Sequence, residues 1–221
     1  MVDKVTLIMR HGCVGAVLAG GASQRMGQDK ALLRLDGGAT LLERTIARLH
    51  EAGLEEVAVV TSTLKRTHSL RAAVPNARAV PFLFDAEPGC GPLGGLQAAL
   101  TAYQGRDVLL VACDMPYLSA RALRLLCTPD TADVVLPRLA GRDQPLHAHY
   151  GPACLPIATR LLQQNRRAMR DLTSTPELRV RIIDDAELAR HGIPAMAFTN
   201  VNTPADLAGL VSLNTLPNAN G

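Results

Sequence analysis

The chain has 221 residues, enough for one sizeable core, and one domain is expected over 1–221. A net charge of +3 and an aromatic fraction of 3% exclude a nucleic-acid stripe, a polybasic tail or a base-stacking platform. No apolar run is long enough to cross a bilayer, and Arg10 and His11 interrupt the apolar stretch where a cleavable leader would need it, so the expected compartment is the cytoplasm.

In chain order, buried strands are predicted at Val14–Leu18, Val57–Thr61, Arg78–Phe82, Val108–Ala112 and Val134–Pro137. Between the first two, Leu41–Ala52 carries Leu41, Leu42, Thr45, Ile46 and Leu49 at helical spacing, with Gly53 as its stop. Leu93–Tyr103 and Ala120–Cys127 read as further helices. From Leu146 the alternation loosens into a short apolar run and two helices, Pro152–Gln164 and Arg166–Leu172. A strand near Arg179–Ile183 follows, then Met196–Asn200 and a last helix after Pro204. Strands and helices alternating at these lengths predict an α/β fold in three layers, a mostly parallel central sheet with helices on both faces. The cysteines (Cys13, Cys90, Cys113, Cys127, Cys154) are odd in number and lack C-x-x-C spacing, so neither a disulfide framework nor a zinc site is expected. His147 and His149 would point the same way on a strand, but no third metal ligand is near in sequence.

The richest segment is Leu18-Ala19-Gly20-Gly21-Ala22-Ser23-Gln24-Arg25-Met26-Gly27-Gln28-Asp29-Lys30, directly after the first strand. Its glycines let backbone N–H groups approach an anion, and Arg25 and Lys30 add fixed positive charge, a combination suited to a polyphosphate. The spacing matches neither a P-loop nor a dinucleotide fingerprint. A second glycine-rich loop, Pro88-Gly89-Cys90-Gly91-Pro92-Leu93-Gly94-Gly95-Leu96, reads as the cap of a helix whose N-terminus faces a ligand or the sheet edge. In Cys113-Asp114-Met115-Pro116 the carboxylate emerges at the C-terminal end of a buried strand, over the same cleft. A nucleoside triphosphate there needs a divalent cation, and Asp114 is the candidate metal ligand. Asn165-Arg166-Arg167 can hold an anionic acceptor or form a solvated helix start. In Asn200-Val201-Asn202-Thr203-Pro204 the two asparagines, read as a strand end, project one way ahead of a helix cap.

These four motifs, L-A-G-G-x-S-x-R-M-G-x-D-K, P-G-x-G-P-L-G-G, C-D-M-P and N-x-N-T-P, resemble in their order those of the molybdenum cofactor guanylyltransferases (the MobA family) from about Gly15 to Leu207. The resemblance implies a Rossmann-like fold of the nucleotide-diphospho-sugar transferase type, with a nucleotide half at about 14–137 and an acceptor half at about 138–213. It implies transfer of GMP from GTP to molybdopterin carrying molybdenum, with Mg²⁺ as cofactor. Related alternatives use CTP or another phosphorylated acceptor, and a nucleotide-binding relative without catalysis is a third. Catalytic roles fall on Arg25, Lys30 and Asp114. Nucleotide contacts fall on Leu18, Ala19, Gly20, Gly21, Lys30, Gly91, Pro92, Asp114 and, with one residue of slippage, Asp85. The pterin side falls on Arg167, Asn200 and Asn202. Asp143-Gln144-Pro145-Leu146 resembles the motif before an acceptor-side strand. Transient contacts with other cofactor-biosynthesis proteins and recipient molybdoenzymes are further expectations. The chain departs from the family at Val60-Thr61-Ser62, where an asparagine often follows the second strand. Cytidylyl relatives carry alanine where this chain has Gly20, so the missing methyl is expected to leave room for a purine edge.

Overall fold

The apolar runs expected as strands mostly form them, because a parallel strand covered on both faces needs apolar residues at nearly every position. The computed structural model describes residues 12–20, 29–34, 38–74, 79–84, 89–128, 130–201 and 206. Within them β1 (Val14–Leu18) pairs in parallel with β2 (Val57–Thr61) and with β4 (Val108–Ala112), Ala16 facing Ala58 on one side and Leu110 on the other. Strand β3 (Phe82–Phe84) extends the sheet beyond β2. The strand expected at Arg78–Phe82 lies further along the chain. Arg78 lies outside the described residues, and pairing begins only after Pro81, whose carbonyl takes the Val59 amide.

The second half is mixed. β5 (Val134–Leu139) runs parallel to β8 (Val180–Ile183), while β7 (His147–Tyr150) lies antiparallel between β4 and β5. A short β6 (Arg142–Asp143) folds back on β5, and the strand order is β3-β2-β1-β4-β7-β5, with β8 also on β5. The chain leaves β1 toward β2 and β3, then returns on the other side of β1 as β4. The gap between the ends of β1 and β4 is therefore the switch point, where open sheets of this kind hold ligands.

Alternation along the strands makes the three layers. Val17, Leu109 and Val111 pack with α1 (Leu41–Glu51) and α4 (Ala120–Leu126), whereas Ala16, Val108 and Leu110 pack with α3 (Gly91–Ala102) and α5 (Cys154–Gln163). Helix α1 is fixed by a capping box, in which Thr40 Oγ1 accepts from the Glu43 amide and Glu43 Oε2 accepts from the Thr40 amide. Gly15 lets α1 approach closely: a Cβ there would stand 3.1 Å from a Leu49 methyl. Losing Leu49, which is fully buried, would cost about 2–5 kcal/mol.

Two helices carry no readable stripe. α2 (Leu64–Ala73) buries only Thr67 and Leu70, and α7 (Asp185–Arg190) only Leu188. Helix α6 (Met169–Thr173) starts later than its sequence suggests, because Asn165 turns into the left-handed region at φ 57°. Met196–Asn200 is not a strand; Ala195–Phe198 forms a 3-10 turn. The helix expected after Pro204 lies outside the described residues apart from Asp206. No helix among the described residues is long and apolar enough to cross a membrane.

Both histidines of β7 are buried, and among the described residues no group of three potential ligands could hold a metal. His147 has no partner on either ring nitrogen and lies 4.5 Å from the Phe198 ring. Burial pulls its pKa down from 6.5 to about 3. The unfolded chain therefore binds this proton more readily, and the stability His147 contributes is lost as pH falls from about 6.5 toward 3. The slope is at most about 1.4 kcal/mol per pH unit. The His147→Phe variant is expected to flatten the acid limb of a Tm-against-pH curve; an acid limb parallel to that of the unmodified protein would contradict this account.

Candidate active site

The C-terminal ends of β1, β2 and β4 are tied together by their own backbones. The Ala19 amide donates to the Val60 carbonyl at 2.9 Å, and the Cys113 amide donates to the Leu18 carbonyl at 3.2 Å. Leu18, Ala19 and Gly20 thus open onto the switch point beside Asp114, two residues past β4.

Lys30 is brought to the same place from the far side of the loop. Asp29 Oδ1 accepts the Ala31 amide at 3.0 Å and caps the 3-10 turn Lys30–Leu32, whose Ala31 is fully buried. With the turn fixed, Lys30 Nζ lies 3.2 Å from Asp114 Oδ2, each side chain 19% exposed. The other carboxylate oxygen, Asp114 Oδ1, is buried and has no hydrogen-bond partner. An unpartnered buried carboxylate oxygen is costly, and a hard cation is the ligand class that satisfies it.

The neighbouring Cys113 is buried. Burial, with the charge of Asp114 adding to it, pushes its thiol up to about 12, so it stays protonated at neutral pH.

Asn200 reaches this region through the next residue. The Val201 amide donates to the Asp114 carbonyl at 2.9 Å, and Val201 is buried against Leu33 and Leu41. Asn200 Oδ1 is itself buried without a partner. It projects from the segment after the 3-10 turn Ala195–Phe198, not from the expected strand end. A residue read as belonging to the pterin side therefore stands next to the cation candidate.

The glycine-rich loop starts α3 as expected. Gly91 has φ 65° with open space where a Cβ would stand, Pro92 occupies the first turn, and Cys90 offers no side-chain cap. The first amides of α3 are left for other acceptors. Arg167 Nη1 donates to the Gly89 carbonyl at 2.9 Å, so this arginine, expected on the acceptor side, is anchored on the glycine-rich loop. Arg25, Gly21, Asp85 and Asn202 lie outside the described residues.

The missing methyl of Gly20 faces the protein's own backbone. A Cβ at Gly20 would stand 3.2 Å from the Ser62 amide nitrogen and 3.5 Å from Ser62 Cβ, against the end of β2 and not in open space. An alanine here would crowd Ser62 at the end of β2. At the position where the family often has asparagine, Ser62 Oγ donates to the Gly20 carbonyl at 2.9 Å.

Sequence reasoning missed Arg66. Its Nε donates to the Ala19 carbonyl at 3.0 Å, and its guanidinium forks onto both oxygens of Asp29. No local pattern signals a pair separated by this much chain.

Comparison with known proteins gives the family and the fold. A family model for the MobA-like NTP transferase domain matches residues 15–180. The chain is 35% identical over 194 residues to the probable molybdenum cofactor guanylyltransferase of Pelotomaculum thermopropionicum, spanning 87% of this chain and 89% of that protein. To the protein of the same name from Opitutus terrae it is 41% identical over 161 residues, 70% of this chain and 74% of the other. In fold it resembles molybdopterin-guanine dinucleotide biosynthesis protein A from Archaeoglobus fulgidus, with a TM-score of 0.77 at 24% identity over 91% of this chain and 98% of that one.

Proposed function

Since the chain belongs to the family of MobA-like NTP transferase domains, we propose that it transfers GMP from GTP to molybdopterin carrying molybdenum, releasing pyrophosphate. The observation that carries this reading is Asp114 at the switch point, one carboxylate oxygen beside Lys30 and the other buried without a partner.

The acceptor phosphate is already ionised and needs no protein nucleophile. One of its oxygens attacks the α-phosphorus in line, a new P–O bond forms, and the bond to the bridging oxygen breaks as pyrophosphate leaves. What the protein supplies is placement and charge. Lys30, with Arg25, offsets negative charge on the triphosphate and on the departing pyrophosphate. Gly20 and Gly21 bring backbone donors to the nucleotide, Leu18 and Ala19 line it, and Asp85, Gly91 and Pro92 lie along its base and ribose. Asp114 is the residue that would hold Mg²⁺, and its unpartnered oxygen fits such a hard cation. When bound, the metal supplies Lewis-acid polarisation of phosphate oxygens. Arg167, Asn200 and Asn202 orient the acceptor phosphate. Residues of about 14–137 thus form the nucleotide half and those of about 138–213 the acceptor half. The reaction takes place in the cytoplasm, with transient contacts to proteins that supply and receive the labile pterin.

The test is pyrophosphate release with Mg²⁺, molybdopterin and molybdate, supplying GTP, CTP, UTP and ATP in separate reactions. Pterin-dependent release with GTP alone is expected. Release with CTP alone would keep the chemistry and overturn the base assignment. Tight GTP binding without release would instead favour a nucleotide-binding protein that does not catalyse.

A further inference from the structure

Arg66 stands in the first turn of α2, where its own amide donates to the cap residue Thr63 at 3.1 Å. Its guanidinium reaches across to both stems of the first loop. On one stem it holds the Ala19 carbonyl at 3.0 Å. On the other it grips the Asp29 carboxylate with two nitrogens, Nη2 lying 2.6 Å from Oδ1 and Nη1 bonding Oδ2. The two side chains are 16% and 20% exposed, so the pair is largely shielded from water. Asp29 uses the same Oδ1 to cap the turn that carries Lys30. The contacts run in sequence from Arg66 to Asp29, to the 3-10 turn, to Lys30 and to Asp114.

We propose that Arg66 is a positioning residue for nucleotide binding, acting through Asp29 to hold Lys30 at the triphosphate site, an assignment that rests on the nucleotide-transfer reading. Arg66 touches neither substrate nor metal in this role. A planar fork is needed because one group must serve two carboxylate oxygens and a carbonyl together, which a lysine ammonium does not match. A staple that merely stabilised the loop stems would act on the fold regardless of Lys30. A relay acting through Lys30 must fall silent once Lys30 is gone.

That difference defines the experiment. Equilibrium dissociation constants for GTP, without acceptor, are measured by calorimetry for the unmodified protein, Arg66→Ala, Lys30→Ala and the double variant, with melting temperatures alongside. Arg66→Ala is expected to weaken binding about tenfold, and to add less than about twofold when Lys30 is already alanine. Unchanged affinity in Arg66→Ala, or losses that multiply in the double variant, would overturn the proposal. Should Arg66→Ala fail to fold, Asp29→Asn decides instead. It keeps a cap acceptor but loses the charged fork, and its loss must likewise vanish beside Lys30→Ala. An unmodified protein that does not bind GTP overturns the site reading itself. One that binds GTP but transfers nothing overturns the transfer reading, while the coupling between Arg66 and Lys30 is still decided by the binding data.

Discussion

Asp114→Asn is expected to lower turnover about a thousandfold, roughly 4 kcal/mol of transition-state stabilisation, with little change in melting temperature. The substitution keeps the shape of the side chain and removes its charge. In the folded protein, Oδ1 is buried with no hydrogen-bond partner, so the fold gains nothing from that oxygen. Oδ2 meets Lys30 at 3.2 Å, and an amide oxygen can still accept from the ammonium. What the amide cannot do is compete for a hard cation, which prefers anionic oxygen. Loss of activity without loss of fold is therefore the signature, read by pyrophosphate release beside thermal denaturation. An Asn variant within tenfold of the unmodified protein would remove Asp114 from its assigned role.

Lys30→Met carries the second large effect. Turnover per bound nucleotide is expected to fall about a hundredfold and the KM for GTP to rise, because the lysine supplies charge to both the bound triphosphate and the leaving pyrophosphate. The methionine keeps most of the aliphatic stem, so the change isolates the ammonium. Lys30 is set in place by a turn whose next residue, Ala31, is wholly buried, so its backbone should hold its place in the variant. Lys30→Arg should recover only part of the loss, since a wider planar head does not fit the 3.2 Å approach to Asp114 without moving the turn. Steady-state kinetics over GTP concentration check this directly. An unchanged KM together with an unchanged kcat would place the triphosphate elsewhere.

Much of the site was legible because a parallel sheet writes itself plainly. Val14–Leu18 and Val108–Ala112 are apolar throughout, and whatever follows such a strand emerges at its C-terminal end. That reasoning places Gly20 and Asp114 at one end of the sheet, and the Cys113 amide bonded to the Leu18 carbonyl joins the two strand ends. Helix α1 was equally clear from its helical spacing and its Gly53 stop; the Thr40–Glu43 cap that fixes its start was not read.

What the sequence hid are directions and distant pairings. Helix α2 has basic residues around most of its circumference and buries only Thr67 and Leu70, so no stripe betrays it, and with it went Arg66. The direction of the absent methyl at Gly20 depends on where β2 ends, and it proved to point at Ser62. Asn200 was recognised from its motif, but its place beside Asp114 follows from one amide, that of Val201, which no periodicity announces. Arg167 was read as an acceptor-side cation, and only the fold brings it to the Gly89 carbonyl.

The most direct test of the central claim follows the α-phosphate itself. GTP labelled there is incubated with the protein, Mg²⁺, molybdopterin and molybdate, and the products are separated and weighed by mass spectrometry. The account predicts that the label moves into a pterin-linked guanine dinucleotide, with one pyrophosphate released for each label transferred. Label that stays in GTP, or that appears only as free GMP, would contradict it.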